Sequence, residues 1–204
     1  SARCLGHRKT QVRVLVTGGG GFIGGAICRA LLARGDQVTA YQRSASPELE
    51  NLGAAVIRGC ITDAGLLGKS LRGVDAVIHN AALVSFRKSD ADKIFKANVI
   101  GTRELSKAAL EAGCKNFIFI SSISAIGFNP DGISDESMLP DMEYKRENDM
   151  YGFSKRTSEL ELKELTDRMR IITLNPSVIL GPGSERIEAV FGMARFLPIL
   201  PMLS

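Results

Sequence analysis

Tyr151 and Lys155 have the residue types and the spacing for proton transfer. Residues four apart in a helix lie on one face, so the ammonium would lie close to the phenol. A nearby positive charge stabilises the phenolate and lowers the pKa of the phenol, which makes tyrosine usable as a general acid or base. The same spacing also occurs in ordinary amphipathic helices, so the pair indicates catalysis only together with other residues.

Residues 17–24, Thr-Gly-Gly-Gly-Gly-Phe-Ile-Gly, could bind a phosphate group. Glycines allow positive φ angles and a close approach to a pyrophosphate, and the amides at a helix N-terminus attract negative charge. The run fits two dinucleotide fingerprints, G-x-G-x-x-G from Gly19 and T-G-x-x-G-x-x-G from Thr17. A glycine-rich turn without a ligand is the third interpretation.

Ser121 and Ser122 end the fifth predicted strand. Ligands of open α/β sheets bind beyond the carboxyl ends of the strands. A serine hydroxyl at this place could donate to a substrate carbonyl and stabilise the negative charge that develops as hydride arrives. Either serine could instead satisfy backbone groups at the strand end.

Strands and helices that alternate along the chain must position these residues. Short β-branched or apolar runs predict six strands, over residues 12–16, 37–41, 55–58, 74–79, 117–120 and 170–174. Periodicity and end signals predict helices from Phe22 to just before Gly35, over 47–52, over 63–71 with Thr62 as its cap, and over 90–112, 151–166 and 188–196. Residues 124–150 are predicted to be a long loop. The alternation predicts a doubly wound α/β fold with a mostly parallel Rossmann-type sheet and helices on both faces.

The composition is that of one globular domain, with 45% apolar and 24% charged residues in 204. The net charge of +4 is spread along the chain without a basic stripe interleaved with aromatic residues, so no nucleic-acid partner is expected. Four cysteines without C-x-x-C spacing and two histidines argue against a disulfide framework and a metal site. No apolar run is long enough to span a bilayer, and a cytoplasmic protein is expected.

The two ends of the chain differ from the domain expected over residues 12–183. Residues 1–11 form a basic arm without acidic residues, either the remnant of an organelle-targeting segment, which would place the protein in an organelle matrix, or a disordered arm. Residues 184–204 are apolar and contain prolines, and we expect them to begin a substrate-binding region that is otherwise missing or to form a docking surface.

Five motifs in this order resemble the extended short-chain dehydrogenase/reductase family, which includes nucleotide-sugar epimerases, 3β-hydroxysteroid dehydrogenases and dihydroflavonol-reductase-like enzymes. The motifs are Thr17-Gly-x-x-Gly-x-x-Gly24, His79-Asn80-Ala81-Ala82, Asn98-Val-x-Gly-Thr102, Ser121-Ser122 and Tyr151-x-x-x-Lys155. Each is weak alone, and their common order over residues 12–183 makes a chance match improbable.

The resemblance implies a role for each matching residue. Tyr151 is the expected catalytic acid or base, and Lys155 is expected to hold the nicotinamide ribose and to tune Tyr151. Ser122 matches the catalytic serine, with Ser124 as the alternative. Asn98 matches an asparagine that supports a water relay, although a structural role in its helix is an equal alternative. His79 is expected to be structural.

The resemblance also implies the cofactor contacts. The positions expected to contact the dinucleotide are Gly18, Gly21, Phe22, Ile23, Gly24, Arg43, Ile61, Asn80, Ala81, Ala82, Lys155, Pro176 and Val178.

Two departures from the family pattern affect cofactor choice. Tyr41-Gln42-Arg43 stands where an acidic residue would bind the ribose hydroxyls of NAD, and a guanidinium suits a 2′-phosphate, so NADP(H) is preferred and NAD(H) remains possible. Gly59-Cys60-Ile61 lacks the aspartate that reads adenine, and Asp63 is expected to cap the next helix instead.

The expected function is an NAD(P)-dependent oxidoreductase that acts on a secondary alcohol or carbonyl of a small molecule by hydride transfer. One alternative is a nucleotide-sugar epimerase or dehydratase that uses the cofactor transiently. Another is a non-enzymatic, cofactor-holding subunit of a larger assembly, and a homodimer is also possible. RNA binding has only the basic composition in its favour.

Overall fold

The computed structural model describes residues 11–181. Its centre is a six-stranded parallel sheet in the order β3-β2-β1-β4-β5-β6. The strands are β1 (Arg13–Thr17), β2 (Gln37–Gln42), β3 (Ala55–Arg58), β4 (Ala76–His79), β5 (Asn116–Ile120) and β6 (Arg170–Leu174). All six predicted strands are confirmed, with ends shifted by at most two residues. The predicted helix over 188–196 lies outside the described residues.

The helices of the described part connect these strands. They are α1 (Phe22–Arg34), α2 (Pro47–Asn51), α3 (Ala64–Ser70), α4 (Ala91–Ile94), α5 (Gly101–Glu111), α6 (Met142–Asn148) and α7 (Met150–Lys163). A π-helical segment, Phe95–Ile100, joins α4 to α5, and 3-10 turns cover Lys88–Asp90 and Ile123–Ala125. The long helix predicted over 90–112 is therefore continuous in direction but changes its winding near Asn98.

Two helix predictions need correction. The cap of α3 is Asp63, whose carboxylate accepts from the Leu66 N–H at 3.0 Å. This confirms the expectation that Asp63 caps the helix, and the alternative cap Thr62 is wrong. The predicted loop over 124–150 contains α6, which begins at the cap Asp141. No residue of α6 is buried, so this helix has no buried apolar face that would create periodicity in the sequence.

The sheet has a buried apolar layer on each face. One layer joins β1, β4 and β5 to α3, α5 and α7 through residues such as Leu67, Leu105 and Leu162. The other joins β1 and β2 to α1 and α2 through residues such as Val16, Cys28 and Leu49. The strand order reverses at β1, which lies between β2 and β4, and ligands of such sheets bind at this point beyond the carboxyl ends of the strands. Within residues 11–181, no helix is long and apolar enough to cross a membrane.

Candidate functional site

The glycine turn between β1 and α1 is tightly packed. Gly18 has φ +68° and donates its N–H to the Tyr41 carbonyl at 2.9 Å. A Cβ on Gly24 would overlap the Gly18 carbonyl oxygen and would lie 2.8 Å from the Gly18 carbonyl carbon. The Thr17 hydroxyl oxygen accepts from the N–H groups of Asn80 and Ala81 at 3.1 and 3.0 Å. These contacts explain why the turn has a hydroxyl at Thr17 and glycine at positions 18 and 24.

The N-terminus of α1 is open to an anion. Gly21 is its cap residue, no side chain caps it, and its first turn has no acidic residue. By contrast, α3, α6 and α7 each begin with an aspartate that accepts from backbone N–H groups of the first turn. The Gln42 amide oxygen accepts from the Gly20 N–H within the turn at 2.5 Å. Because no side chain caps α1 and no acidic residue lies in its first turn, the helix N-terminus suits the pyrophosphate of a dinucleotide.

His79 ends β4 and links the glycine turn to the helices behind it. Its Nδ1 lies 2.7 Å from the Thr17 hydroxyl, and its Nε2 lies 2.8 Å from the Thr102 hydroxyl. Since the Thr17 oxygen already accepts two N–H bonds, its own hydrogen donates to Nδ1, and Nε2–H donates to Thr102. Thr102 then donates to the Asn98 carbonyl. Burial, with a smaller contribution from Lys155, lowers the pKa of His79 from 6.5 to about 3.

This buried neutral histidine should make the fold sensitive to acid. Below about pH 6.5 the unfolded chain binds a proton that the folded imidazole does not accept until about pH 3, so stability falls as the pH falls through this window. We expect His79 to account for a loss of roughly 3 kcal/mol in unfolding free energy between pH 7 and pH 4. Urea unfolding of the wild type and His79→Gln at both pH values measures this difference. A His79→Gln variant with the full pH dependence of the wild type would contradict this assignment.

Lys155 lies in the second turn of α7 and lines the cleft described below. Its ammonium is almost fully buried, donates to the Ile120 carbonyl at 2.7 Å and lies 4.6 Å from the centre of the Phe119 ring. The Tyr151 ring centre is 6.0 Å from the same ammonium. Burial lowers the pKa of Lys155 to about 8, and the negative charge of Glu159 partly opposes this. Lys155 is therefore mainly charged at neutral pH.

The two serines after β5 have different partners. The Ser121 hydroxyl donates to the Glu159 carboxylate at 2.5 Å and is buried. The Ser122 hydroxyl oxygen accepts from the Ser124 N–H at 3.1 Å and caps the following 3-10 turn. Because Ser122 uses its oxygen as an acceptor there, its hydrogen can still donate to a ligand. The geometry thus favours Ser122 over Ser121 as the residue that meets a substrate oxygen.

Glu159 and Asn175 form a network that the sequence analysis missed. The Asn175 amide donates to Glu159 at 2.7 Å and to the Ser122 carbonyl at 3.1 Å, and Arg156 donates to Glu159 at 2.9 Å. Together with the Ser121 bond, these contacts tie the ends of β5 and β6 to α7. The one available signal was spacing, since Glu159 follows Lys155 by four residues as Lys155 follows Tyr151.

Asn98 lies in the π-helical segment and is buried. Its amide donates to the Leu83 carbonyl and the Ser154 hydroxyl, each at 3.0 Å, and its oxygen accepts from the Leu83 N–H at 2.7 Å. Its backbone carbonyl accepts from Thr102 and Ser158. Because both amide hydrogens are used within the protein, these contacts favour the structural alternative for the Asn98 side chain.

A cleft of about 890 Å³ passes over the glycine turn and along α7. The predicted site residues that line it are Gly21, Phe22, Ile23, Asn80, Ala82, Ser122, the alternative Ser124, Tyr151, Lys155, Pro176 and Val178. Apolar residues that were not predicted from the sequence also line it, namely Leu49, Val84, Phe86, Ile120, Ile123 and Ile179. The structure thus brings the glycine turn, the serine and the Tyr-Lys pair to one cavity.

The other predicted site residues lie outside this cleft. Gly18, Gly24 and Ala81 support the turn through the contacts described above. Ile61 packs against Gly101, where a Cβ would lie 2.6 Å from the nearest Ile61 methyl carbon. Arg43 lines a separate cavity of about 460 Å³. Among residues 11–181, no group of three or more His, Cys, Asp or Glu side chains could hold a metal ion.

A parallel sheet whose strand order reverses beside an uncapped glycine turn defines a Rossmann-type dinucleotide-binding fold. The chain belongs to the NAD dependent epimerase/dehydratase family, whose model matches residues 14–199. This membership confirms the resemblance to the extended short-chain dehydrogenases/reductases and makes the protein a member of an NAD-dependent enzyme family.

Relatives of this chain include oxidoreductases and an epimerase. Sterol demethylase protein B of Methylococcus capsulatus is 36% identical over 86% of this chain and 54% of that protein. A 3 beta-hydroxysteroid dehydrogenase/Delta 5→4-isomerase of Mycobacterium tuberculosis is 32% identical over 85% and 48%. The crystal structure of UDP-glucose 4-epimerase with UDP-glucose from Thermotoga maritima gives a TM-score of 0.76 at 28% identity, over 88% of this chain and 62% of that one. The chain spans about half the length of the curated relatives it matches.

Proposed function

We propose that the protein is an NAD(P)-dependent oxidoreductase that acts on a secondary alcohol or carbonyl of a small molecule. The observation that carries this proposal is the shared cleft, in which Ser122, Tyr151 and Lys155 stand beside the open N-terminus of α1. The apolar side chains along the cleft, including Phe86 and Ile123, suit a substrate with an apolar body.

Each polar residue of the cleft has one role in this proposal. The nicotinamide supplies or accepts the hydride when it is bound. Ser122 donates its hydroxyl hydrogen to the substrate oxygen, and Tyr151 gives or takes the proton at that oxygen. Lys155 stabilises the phenolate form of Tyr151 through its charge and binds the ribose hydroxyls. The Ile120 carbonyl and the Phe119 ring hold the ammonium in place for both tasks.

We further propose a preference for NADP(H) over NAD(H), with Arg43 as the partner of the 2′-phosphate. Arg43 follows β2 directly and lines a cavity at the carboxyl ends of β2 and β3. A charge-assisted bond to phosphate contributes about 1.5–3 kcal/mol, so Arg43→Gln should weaken NADPH binding by roughly tenfold or more and change NADH binding little. Fluorescence titration with both cofactors measures this. Equal losses for the two cofactors would contradict the assignment.

Transient use of the cofactor is the second candidate, and the fold likeness to UDP-glucose 4-epimerase favours it. An oxidoreductase consumes one NADPH per product, whereas an epimerase or dehydratase returns its cofactor unchanged. The test uses a panel of apolar ketones and nucleotide sugars. We expect the absorbance of NADPH to fall in proportion to the amount of alcohol that is formed. Product formation without net cofactor oxidation would replace our proposal with the epimerase alternative.

Three further assignments are proposals. A cytoplasmic location is supported by the free thiols Cys28, Cys60 and Cys114, which suit a reducing compartment. A dinucleotide-binding domain over residues 12–183 is supported by the sheet and both apolar layers. A homodimer is also proposed, and analytical ultracentrifugation of the purified chain tests it. No nucleic-acid partner is proposed.

A further inference from the structure

A second cavity lies at the carboxyl ends of β2 and β3, outside the cleft. Its volume is about 460 Å³, and Arg43, Arg58, Gly59 and Cys60 line it. The two strands are paired in parallel with Gln42 opposite Arg58, and the Gly59 N–H donates to the Gln42 carbonyl at 2.9 Å. Arg43 and Arg58 therefore leave neighbouring strands at the same edge of the sheet.

The cavity is positively charged and has no acidic side chain in its lining. In the described part of the chain, neither Arg43 nor Arg58 forms an ion pair, whereas Arg13 and Arg29 pair with Asp75 and Glu48. Two unpaired guanidinium groups at one cavity repel each other, and an anion between them would remove that cost.

The same positive charges also affect the pKa of the Cys60 thiol. Hydrogen bonds to Thr62 are the main cause of its lowered pKa, and the charges of Lys96 and Arg43 lower the pKa further. Lys96 belongs to the π-helical segment, so a third cation acts on this cavity from a different element. The backbone at Cys60 is held in place, because the hydroxyl of the buried Tyr41 donates to the Cys60 carbonyl at 2.8 Å.

We propose that Arg58 is a specificity-determining residue that joins Arg43 in a two-arginine subsite for the phosphate on the adenosine ribose. This inference rests on the proposed preference for NADP(H). Two planar guanidinium groups from adjacent strands can approach one phosphate from two sides, and each can form two parallel N–H···O bonds. The residues that line the cavity, Arg43, Arg58, Gly59 and Cys60, include no carboxylate that would repel the phosphate.

Binding of adenosine fragments tests Arg58 without any need for turnover. Isothermal titration of the full chain with 2′,5′-ADP and with 5′-AMP separates the extra phosphate from the rest of the nucleotide. In Arg58→Gln, we expect an affinity for 2′,5′-ADP that is about tenfold lower or worse and an unchanged affinity for 5′-AMP. Arg72→Gln, which removes an exposed arginine outside the cavity, should bind both fragments as the wild type does.

The outcomes separate this inference from the proposed function. If the wild type binds the two fragments equally well, the preference for NADP(H) fails and the inference fails with it. If the wild type prefers 2′,5′-ADP and only Arg43→Gln lowers that preference, the cofactor proposal stands and the proposed role of Arg58 is wrong. An equal loss for both fragments in Arg58→Gln also overturns the inference.

Chemical protection of Cys60 gives a second test on the unmutated protein. Cys60 is exposed, and peptide mapping after treatment with iodoacetamide follows its peptide separately from those of the other three cysteines. Saturating 2′,5′-ADP should slow this alkylation at least severalfold, and saturating 5′-AMP should slow it much less. Equal protection by both nucleotides would contradict a phosphate between Arg43 and Arg58.

Discussion

Tyr151→Phe should lower kcat by about 100-fold to 10,000-fold, because it removes the hydroxyl that we propose as the proton donor or acceptor and keeps the ring. The retained ring has its centre 6.0 Å from the Lys155 ammonium. We therefore expect the dissociation constant for NADPH to change less than threefold, roughly 0.7 kcal/mol. Steady-state rates and cofactor titration of the same preparation measure both effects.

A matched variant keeps this test specific. Tyr144 is an exposed tyrosine in α6, outside the cleft, and Tyr144→Phe removes the same hydroxyl from the same kind of residue. It should retain the wild-type kcat. Turnover at the wild-type rate in Tyr151→Phe would contradict the assignment of Tyr151, and the pair Ser122 and Ser124 would then need to be tested as the proton source.

Gly24→Ala should abolish cofactor binding, with an affinity loss of about 100-fold or more, and should also destabilise the fold. Its added methyl group would overlap the Gly18 carbonyl oxygen and approach the Asn80 amide nitrogen to 2.9 Å. The two nearest atoms, the carbonyl oxygen and carbon of Gly18, belong to the backbone, so the turn itself has to move. Overpacking of this kind costs about 1–3 kcal/mol of stability. The displaced turn no longer presents the open amides of α1 to a pyrophosphate.

Gly68→Ala is the control for the change of glycine to alanine in a helix. Gly68 lies in α3, and a Cβ there would meet no atom within 4 Å. Alanine is preferred over glycine in helices by about 1 kcal/mol, so this variant should be more stable than the wild type and should bind the cofactor normally. Urea unfolding and cofactor titration of both variants test the pair. Normal cofactor affinity in Gly24→Ala would show that the turn does not hold the dinucleotide.

The order of strands was predictable from the sequence because β-branched runs alternate with glycine and helix-end signals. Residues 55–58 and 170–174 were predicted with the bounds that the structure has. Helix α6 was not predictable from periodicity, because all its side chains remain at least partly exposed and its main signal, the cap Asp141, lies in a segment that is rich in turn residues.

The candidate site was predictable only where a short motif marks it. Thr17, Gly24, Tyr151 and Lys155 belong to motifs with fixed spacing. The structure gives Thr17, Gly24 and Lys155 contacts that explain their residue types. Glu159, by contrast, gains its role from bonds to residues far away in sequence. Such a network depends on how α7 packs against the ends of β5 and β6, and no local sequence pattern predicts that packing.

The role proposed for Arg58 at the second cavity was likewise not predictable from local sequence. Its sequence neighbours indicate only the end of a strand, and its closeness to Arg43 follows from the parallel pairing of β2 and β3. A residue type that is common on surfaces becomes a candidate ligand group only once the pairing is known.

Isothermal titration of the purified chain with NADPH tests the central claim most directly. We predict one binding site per chain, at least about tenfold tighter for NADPH than for NADH, and loss of that binding in Gly24→Ala. The absence of NADPH and NADH binding by the folded wild-type chain, or binding that Gly24→Ala leaves intact, would contradict the claim that the glycine turn and the adjoining cleft form a dinucleotide site.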